Sequence, residues 1–135
     1  MKIFDNEEIG KINFVDKNNV VVGFDNSSQC CEDFGYFFIP TIPTQEEIEK
    51  HNGVEFDPEK YIFDTSFVRL ESDNMDSGGV AIFRLAEVKE EYSAVGYWNK
   101  DSKFMYLVLY NHHNGYYSHG FDMKKKDKVI VEASL

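Results

Sequence analysis

The amino-acid sequence predicts a mostly β fold of the α+β class, an antiparallel sheet or sandwich of about seven strands with one short helix. Three observations support this prediction. Short runs rich in β-branched and aromatic residues alternate with clusters of turn-forming residues. One segment carries a helix start signal, and one late run is apolar on both of its faces. The chain of 135 residues has the length of a single domain, residues 1–135.

The first predicted elements are two strands that flank a polar turn. The run from Phe14 to Phe24 contains four polar residues, 16–19, between apolar stretches, and Asp and Asn tolerate turn dihedrals. A third strand is expected over residues 31–39. It ends before Pro40, because proline cannot donate to a sheet ladder.

The helix is expected to begin at Thr44. The hydroxyl of Thr44 can accept from the amide of Glu47, whose carboxylate can reach back, and this pattern is a capping box. Asn52 and Gly53 supply a left-handed stop. Shortly afterwards, Asp57 and Pro58 predict one further helical turn, because proline suits the first helical position.

The remaining strands are expected over residues 61–70, 80–85, 104–110, 116–123 and 129–132. The run 104–110 is apolar on both faces, which predicts a central strand covered on each side. Residues 111–115 end in Asn114-Gly115, a pair that favours a tight turn. The sequence therefore predicts a hairpin in which residues 116–123 return beside 104–110.

The charge distribution narrows the classes of partner. The chain has 24 acidic and 14 basic side chains, for a formal net charge of −10. Residues 1–91 contain 20 acidic and 8 basic side chains, net −12, whereas residues 92–135 contain 4 and 6, net +2. Such a surface repels nucleic acids and anionic membranes and attracts basic proteins. The plain alternative is that the acidic surface only maintains solubility.

The N-terminal residues and the cysteines predict a cytoplasmic protein. The N-terminus turns acidic at once and lacks the apolar run of a secretory signal, and no apolar stretch approaches the length of a membrane span. Cys30 and Cys31 are adjacent, and neighbouring strand residues point to opposite faces, so a disulfide between them would be strained. Reduced thiols are therefore expected.

Cysteine and histidine side chains offer an alternative function as a small metal- or thiol-dependent enzyme. The candidates are Cys30, Cys31, His112, His113 and His119, since thiolate and imidazole suit zinc. Adjacent cysteines chelate poorly, however, and Glu32 and Asp33 disfavour a thiolate. We therefore expect no catalytic residues, no metal and no cofactor.

An acidic and aromatic binding surface is the favoured interpretation. Exposed carboxylates accelerate the association of a basic partner by steering, and tyrosine is enriched in interface hot spots. The predicted partner-binding residues are Glu46, Glu47, Glu49, Glu55, Asp57, Glu59, Glu71, Asp73, Asp76 and Tyr117.

Two short motifs resemble those of a family of small bacterial and phage proteins. They are Gln29-Cys30-Cys31-Glu32 and Asn114-Gly115-Tyr116-Tyr117-Ser118. The turn at His112-His113 and the continuation His119-Gly120-Phe121 look more like a subgroup associated with immunity proteins of contact-dependent growth inhibition. The resemblance covers residues 11–38 and 104–135, and leaves out the middle of the chain.

The resemblance implies a bacterial, cytoplasmic immunity protein that binds and neutralises a cognate toxin. Toxins of such toxin–immunity systems are frequently basic nucleases, and an acidic inhibitor suits them. The resemblance transfers no catalytic residues. An accessory binding protein of a phage, with the same fold and another partner, is the alternative within the same family.

Overall fold

The computed structural model describes residues 1–6, 8, 10–25, 33–50, 53–72, 79–87, 103–112, 120–125 and 128–135. Within these ranges the chain forms nine strands, one α-helix and one 3-10 turn, which confirms the mostly β prediction with more strands than expected. The elements are β1 (Lys2–Asn6), β2 (Lys11–Val15), β3 (Val20–Asp25), β4 (Asp33–Ile39), α1 (Gln45–Lys50), the 3-10 turn (Pro58–Lys60), β5 (Tyr61–Ser72), β6 (Gly79–Glu87), β7 (Phe104–His112), β8 (Gly120–Lys125) and β9 (Lys128–Ser134).

The strands form two antiparallel sheets. The first, sheet A, has five strands in the order β1-β2-β3-β8-β9. The second, sheet B, has four strands in the order β4-β7-β6-β5. The first three strands of sheet A form a meander, as do β5, β6 and β7 in sheet B.

One hydrophobic core joins the inner faces of the two sheets. Sheet A contributes Phe14 and Phe24, and sheet B contributes Phe83 and Leu107, all of them fully buried. The rings of Phe83 and Phe121 meet edge to face with their centroids 5.8 Å apart, across the space between the sheets. Alternate residues of the strands therefore face one shared interior.

Sheet B also buries its outer face. Ile82 and Val108, which alternate with the core residues of β6 and β7, pack in a second cluster with Phe37 and Ile39. Ile48 of α1 is buried in the same cluster, so the helix covers part of this face. These contacts confirm the predicted burial of residues 104–110 on both faces, and they show that β6 is covered in the same way, which explains the continuous apolar sequences of both strands.

The turn between β2 and β3 is held by Asp16. One carboxylate oxygen of Asp16 accepts from the amides of Asn18 and Val20, each at 2.9 Å. The other accepts from the amide of Phe63 in β5 at 2.9 Å. Asn19 has a φ of 60°, a left-handed value that asparagine tolerates. The predicted turn is confirmed, and Asp16 also ties it to sheet B.

The predicted start of α1 is confirmed in detail. The amide of Glu47 donates to the hydroxyl of Thr44 at 3.2 Å, and the amide of Thr44 donates to the Glu47 carboxylate at 3.0 Å. Asp57 likewise caps the 3-10 turn, since its carboxylate accepts from the amide of Glu59 at 3.2 Å. Neither helical element of the described ranges has the length and apolar character needed to span a bilayer.

The predicted hairpin of residues 104–110 and 116–123 is wrong. Both edges of β7 are already paired, one with β4 and the other with β6, so β7 lies inside sheet B. Strand β8 instead pairs with β3 and β9 in sheet A. A strand that is apolar on both faces is stabilised most in the interior of a sheet, where both faces are covered. This stabilisation outweighs the tendency to pair with the next strand in sequence. Strand β1, whose five residues are all exposed, was not predicted.

Candidate partner-binding surface

Seven of the ten predicted partner-binding residues lie in the described part of the chain. Glu46, Glu47, Glu49, Glu55, Asp57, Glu59 and Glu71 are placed, whereas Asp73, Asp76 and Tyr117 lie outside the described residues. The candidate residues of the alternative enzyme site also lie outside the described part of the chain. They are Cys30, Cys31, His113, His119 and the side chain of His112. Among the described residues, no three histidine, cysteine, aspartate or glutamate side chains are grouped to hold a metal ion.

The three glutamates of α1 have different roles. Glu47 is half-buried and closes the capping box with Thr44. The carboxylate of Glu46 lies 2.6 Å from the ammonium of Lys50, one helical turn later. Within the described residues, Glu49 is exposed and has no ion-pair partner. The helix therefore presents Glu49 as its main unneutralised carboxylate.

The segment after α1 runs along the outer edge of β4. The amide of Val54 donates to the carbonyl of Phe38 at 2.8 Å. A Cβ atom on Gly53 would lie 2.9 Å from the Cβ of Phe37, so this close approach requires glycine. The ring of Phe56 packs against Phe38, with centroids 4.7 Å apart.

These contacts leave the acidic residues of the segment facing solvent. Glu55 lies between Val54 and Phe56 in the chain, and its side chain is exposed, as are those of Asp57 and Glu59. Val54 is itself 43% exposed. The structure thus brings Glu55 to the edge of sheet B, with an exposed apolar side chain beside it.

Glu71 lies on the opposite edge of sheet B. It belongs to β5, which is separated from β4 by two strands, or by roughly 14 Å at the usual strand spacing. Its carboxylate lies 3.7 Å from the guanidinium of Arg69. Glu71 therefore does not share a surface with the carboxylates beside β4.

Tyr36 also lies at this edge, and the sequence patterns did not predict it as a binding residue. It lies on β4, opposite Leu109, and so faces the interior at the margin of the sandwich. Its ring meets that of Phe14 edge to face at 5.0 Å, yet the residue remains 39% exposed. Burial, and then the nearby carboxylate of Asp5, raise the pKa of Tyr36 above its ordinary value. The hydroxyl therefore stays protonated at neutral pH and can donate.

The backbone of β4 at Tyr36 faces away from the sheet. Residues of a strand direct their N–H and C=O groups alternately to the two sides. The carbonyl of Phe38 points away from β7, because it accepts from Val54. Tyr36, two residues earlier, must direct its amide and carbonyl the same way. No backbone partner for these groups occurs within the described ranges. Among the residues that the structure describes, this part of β4 is therefore an unpaired edge.

Strand β1 completes the surface. Its register with β2 puts Ile3 opposite Phe14 and Asp5 opposite Ile12, so both residues face sheet B. Ile3 is 37% exposed, because β1 lies at the margin of the sandwich. We define the β4 edge surface as five residues, namely Ile3, Asp5, Tyr36, Val54 and Glu55.

A second charged cluster lies at an irregularity of β5. Asp64 is buried and accepts from the Nη2 of Arg84 at 2.6 Å and from its Nε at 3.0 Å. The other carboxylate oxygen accepts from the amide and hydroxyl of Ser66. The guanidinium lies between the rings of Phe67 and Phe104, 4.8 and 4.7 Å from their centroids.

The polar groups of this cluster act as hydrogen-bond partners for one another. Burial alone would raise the pKa of Asp64, but the hydrogen bonds from Ser66 and Arg84 outweigh it, so the pKa lies below its usual value. Burial likewise opposes the charge of Arg84, while Asp64 and Tyr106 raise the pKa of the guanidinium. The cluster fixes the register shift between Phe63 and Val68. We interpret it as structural.

Comparison with known proteins adds no relative. No protein-family model matches the chain, and no curated protein or solved structure is significantly similar to it. The resemblance to immunity proteins stays a prediction, and the functional argument depends on the geometry of the described residues.

Proposed function

We propose that this protein is a cytoplasmic immunity protein that binds and neutralises a basic toxin, and that the toxin docks on the β4 edge surface. The observation that carries the proposal is the setting of Tyr36. This residue combines an exposed aromatic ring, a neighbouring carboxylate and an open strand edge in one place.

The charges of this region suit a cationic partner. Asp5 and Glu55 belong to the β4 edge surface, and Glu49, Asp57 and Glu59 flank it along the chain. Exposed carboxylates of one sign raise the rate of association with a basic protein, and this steering weakens as salt is added. The net charge of −10 extends the attraction over the whole molecule.

The affinity would come from Tyr36 and the strand edge. The ring of Tyr36 is held by Phe14 and Phe38, with centroids 5.0 and 6.0 Å away, so little side-chain freedom remains to be lost on binding. An extended segment of the toxin can pair with the open backbone of β4 by strand addition. Basic side chains of that segment then meet Asp5 and Glu55.

The test is co-expression with the protein encoded immediately upstream, followed by co-purification and measurement of the dissociation constant. Tyr36→Ala is expected to weaken binding by about 2 kcal/mol, or roughly thirtyfold, because it removes the central aromatic contact. Tyr36→Phe, which keeps the ring, should retain most of the affinity. In cells that produce the toxin, the variants should lose their protective effect in the order in which they lose affinity, so Tyr36→Ala should protect least.

Leu70→Ala is the matched control. Leu70 is 51% exposed on the opposite edge strand of the same sheet, so its truncation removes a comparable apolar surface away from Tyr36. The dissociation constant of Leu70→Ala should equal that of the unmodified protein. Binding that survives Tyr36→Ala in a folded variant excludes this surface, and failure of the upstream protein to co-purify or to be toxic excludes the immunity function.

A further inference from the structure

The second half of β5 is a strand edge that the described part of the chain leaves uncovered. Strand β5 lies at the end of sheet B, beside β6. In its first half, the carbonyl of Tyr61 accepts from the amino group of Met1, and the amide of Phe63 donates to Asp16. Residues 68–72 pair regularly with β6, and no other backbone partner for them occurs within the described ranges. Such an edge can accept a further strand.

The side chains of residues 68–72 combine opposite charges with an exposed apolar group. Arg69 lies opposite Ile82 and Glu71 lies opposite Val80 on β6. Both partners belong to the outer cluster of sheet B, so the two charges lie on the outer face. Leu70, between them, points to the inner face at the margin of the sandwich and is 51% exposed.

These residues are complementary to a second copy of themselves. In an antiparallel pairing whose two-fold axis passes through Leu70, this residue lies opposite Leu70 of the second copy. Arg69 then lies opposite Glu71 of the second copy, and Glu71 lies opposite its Arg69. Each residue meets one of its own face, so the two sheets continue into each other. The pairing therefore matches every charge by symmetry.

The pairing brings the charges closer to a partner than the single chain does. Within one copy, the Nε of Arg69 lies 3.7 Å from the carboxylate of Glu71, and both side chains remain exposed. Residues two apart on one strand are separated by roughly 6.6 Å. Directly opposite residues of an antiparallel pair have Cβ atoms only about 4.5–5.5 Å apart. Two cross-strand ion pairs would thus flank a covered Leu70.

The other edge strands of the described ranges are less suited to pairing with themselves. A two-fold pairing of β1 about Phe4 would place Ile3 opposite Asp5, an apolar side chain against a carboxylate. Strand β9 has an irregular register opposite Met123 and Lys124, and such irregularities hinder edge pairing. Charge complementarity therefore favours the edge of β5.

We infer that the protein forms a two-fold dimer through residues 68–72, which joins two copies of sheet B into one antiparallel sheet of eight strands. Five residues per chain are far fewer than the roughly 20–30 per side of a standard interface, so the dimer is weak and depends on protein concentration. Strand β4 lies at the far end of the sheet in each copy. The dimer therefore does not involve the β4 edge surface and does not depend on the proposed function.

Analytical ultracentrifugation of the full-length protein at rising concentration tests the dimer. The average mass should rise from 15.7 kDa and level off at twice that value. Arg69→Glu and Glu71→Arg should each weaken dimerisation by about tenfold or more, because like charges then lie opposite each other at both positions. The two variants shift the net charge of −10 in opposite directions, so net charge alone cannot weaken both. An equimolar mixture of the two should dimerise again.

Lys50→Glu is the matched control for Arg69→Glu. It makes the same change of charge on the exposed surface of α1, away from β5, and should leave dimerisation nearly unchanged. An equal loss in this control overturns the inference, and so does a mixture that stays monomeric. A protein that is monomeric at every concentration, or whose mass keeps rising beyond that of the dimer, overturns it as well.

Disulfide cross-linking tests the register, with Leu70→Cys in a chain that also carries Cys30→Ser and Cys31→Ser. Directly opposite residues have Cα atoms about 4.5–5.5 Å apart, within the range that a disulfide spans. Mild oxidation should therefore link two copies, as seen on a non-reducing gel. Val129→Cys in the same background is the control, since Val129 is 44% exposed on an edge strand of sheet A. Equal cross-linking of the two variants overturns the inference.

Discussion

The buried carboxylates of this protein and the carboxylates beside β4 differ in what surrounds them. Asp16 and Asp64 are almost fully buried, and their oxygens accept hydrogen bonds from backbone amides or from Arg84. Glu49 and Glu55 are exposed, and within the described residues they have no ion-pair partner. The first group joins separate strands, whereas the second leaves its charge to solvent.

This difference separates stability from recognition. A buried carboxylate whose hydrogen bonds are satisfied contributes to folding, and its removal leaves donors without acceptors. An exposed carboxylate contributes little to folding, but its field acts on an approaching partner. Substitutions in the two groups should therefore change different measurements.

The largest effect is expected for Asp16→Ala. The substitution leaves the amides of Asn18, Val20 and Phe63 without their acceptor. The free energy of unfolding should fall by about 3 kcal/mol or more, since each buried unsatisfied donor costs about 1–3 kcal/mol. Urea denaturation measures the change. Asp16→Asn, which keeps one acceptor oxygen, should lose less, and a loss below about 1 kcal/mol for Asp16→Ala would contradict the role of this carboxylate.

Asp64→Asn should have the next largest effect, a loss of about 2 kcal/mol at neutral pH, because charged hydrogen bonds with Arg84 are removed. The folded pKa of Asp64 lies below the ordinary value of 3.8. Its ionised form therefore contributes stability that is fully present above pH of about 5 and is lost as the pH falls through 3.8 toward the folded pKa.

The pH dependence provides the internal control for Asp64. Urea midpoints measured from neutral to acidic pH should fall more steeply for the unmodified protein than for Asp64→Asn, so the two curves should converge at low pH. Parallel curves would show that the stability does not come from the ionised form of Asp64. Partner affinity should be unchanged in the folded fraction of this variant.

The smallest effect is expected for Glu55→Lys, and it should appear in the kinetics of binding. Reversal of one exposed charge on the β4 edge surface should slow association with the upstream-encoded protein by roughly threefold at low salt, with little change in stability. Glu71→Lys, on the opposite edge, is the control and should slow it less. Equal slowing by the two variants would mean that only net charge matters, as in the solubility interpretation.

Local patterns account for the elements that were predicted correctly. The turn at Asp16, the capping box of Thr44 and Glu47 and the cap at Asp57 depend on residues within four positions of one another. The apolar pattern of residues 104–110 likewise indicated a covered strand, because successive strand residues point to opposite faces and here both sets are apolar. Strand β1 was missed because its five residues are all exposed and show no buried face.

Partners of the strands, in contrast, were decided by tertiary structure. The apolar pattern of β7 did not say which strands would flank it, and the prediction chose β8 where the structure has β4 and β6. Pairing depends on how all apolar faces can be buried together, a condition that no local window contains. The same condition determined the candidate surface, since Asp5 and Tyr36 are distant in sequence and meet only where β1 lies beside β4.

The sequence by itself determined a mostly β chain, its acidic charge, its capped helix and the strands that had to be buried. These properties follow from composition and from short-range periodicity, which folding does not alter. Only the tertiary structure decided that Glu71 lies apart from Glu55 and that, within the described residues, Tyr36 stands on an unpaired strand edge. The reason is that a shared surface depends on strand order and register, and both are set by the common core of the two sheets.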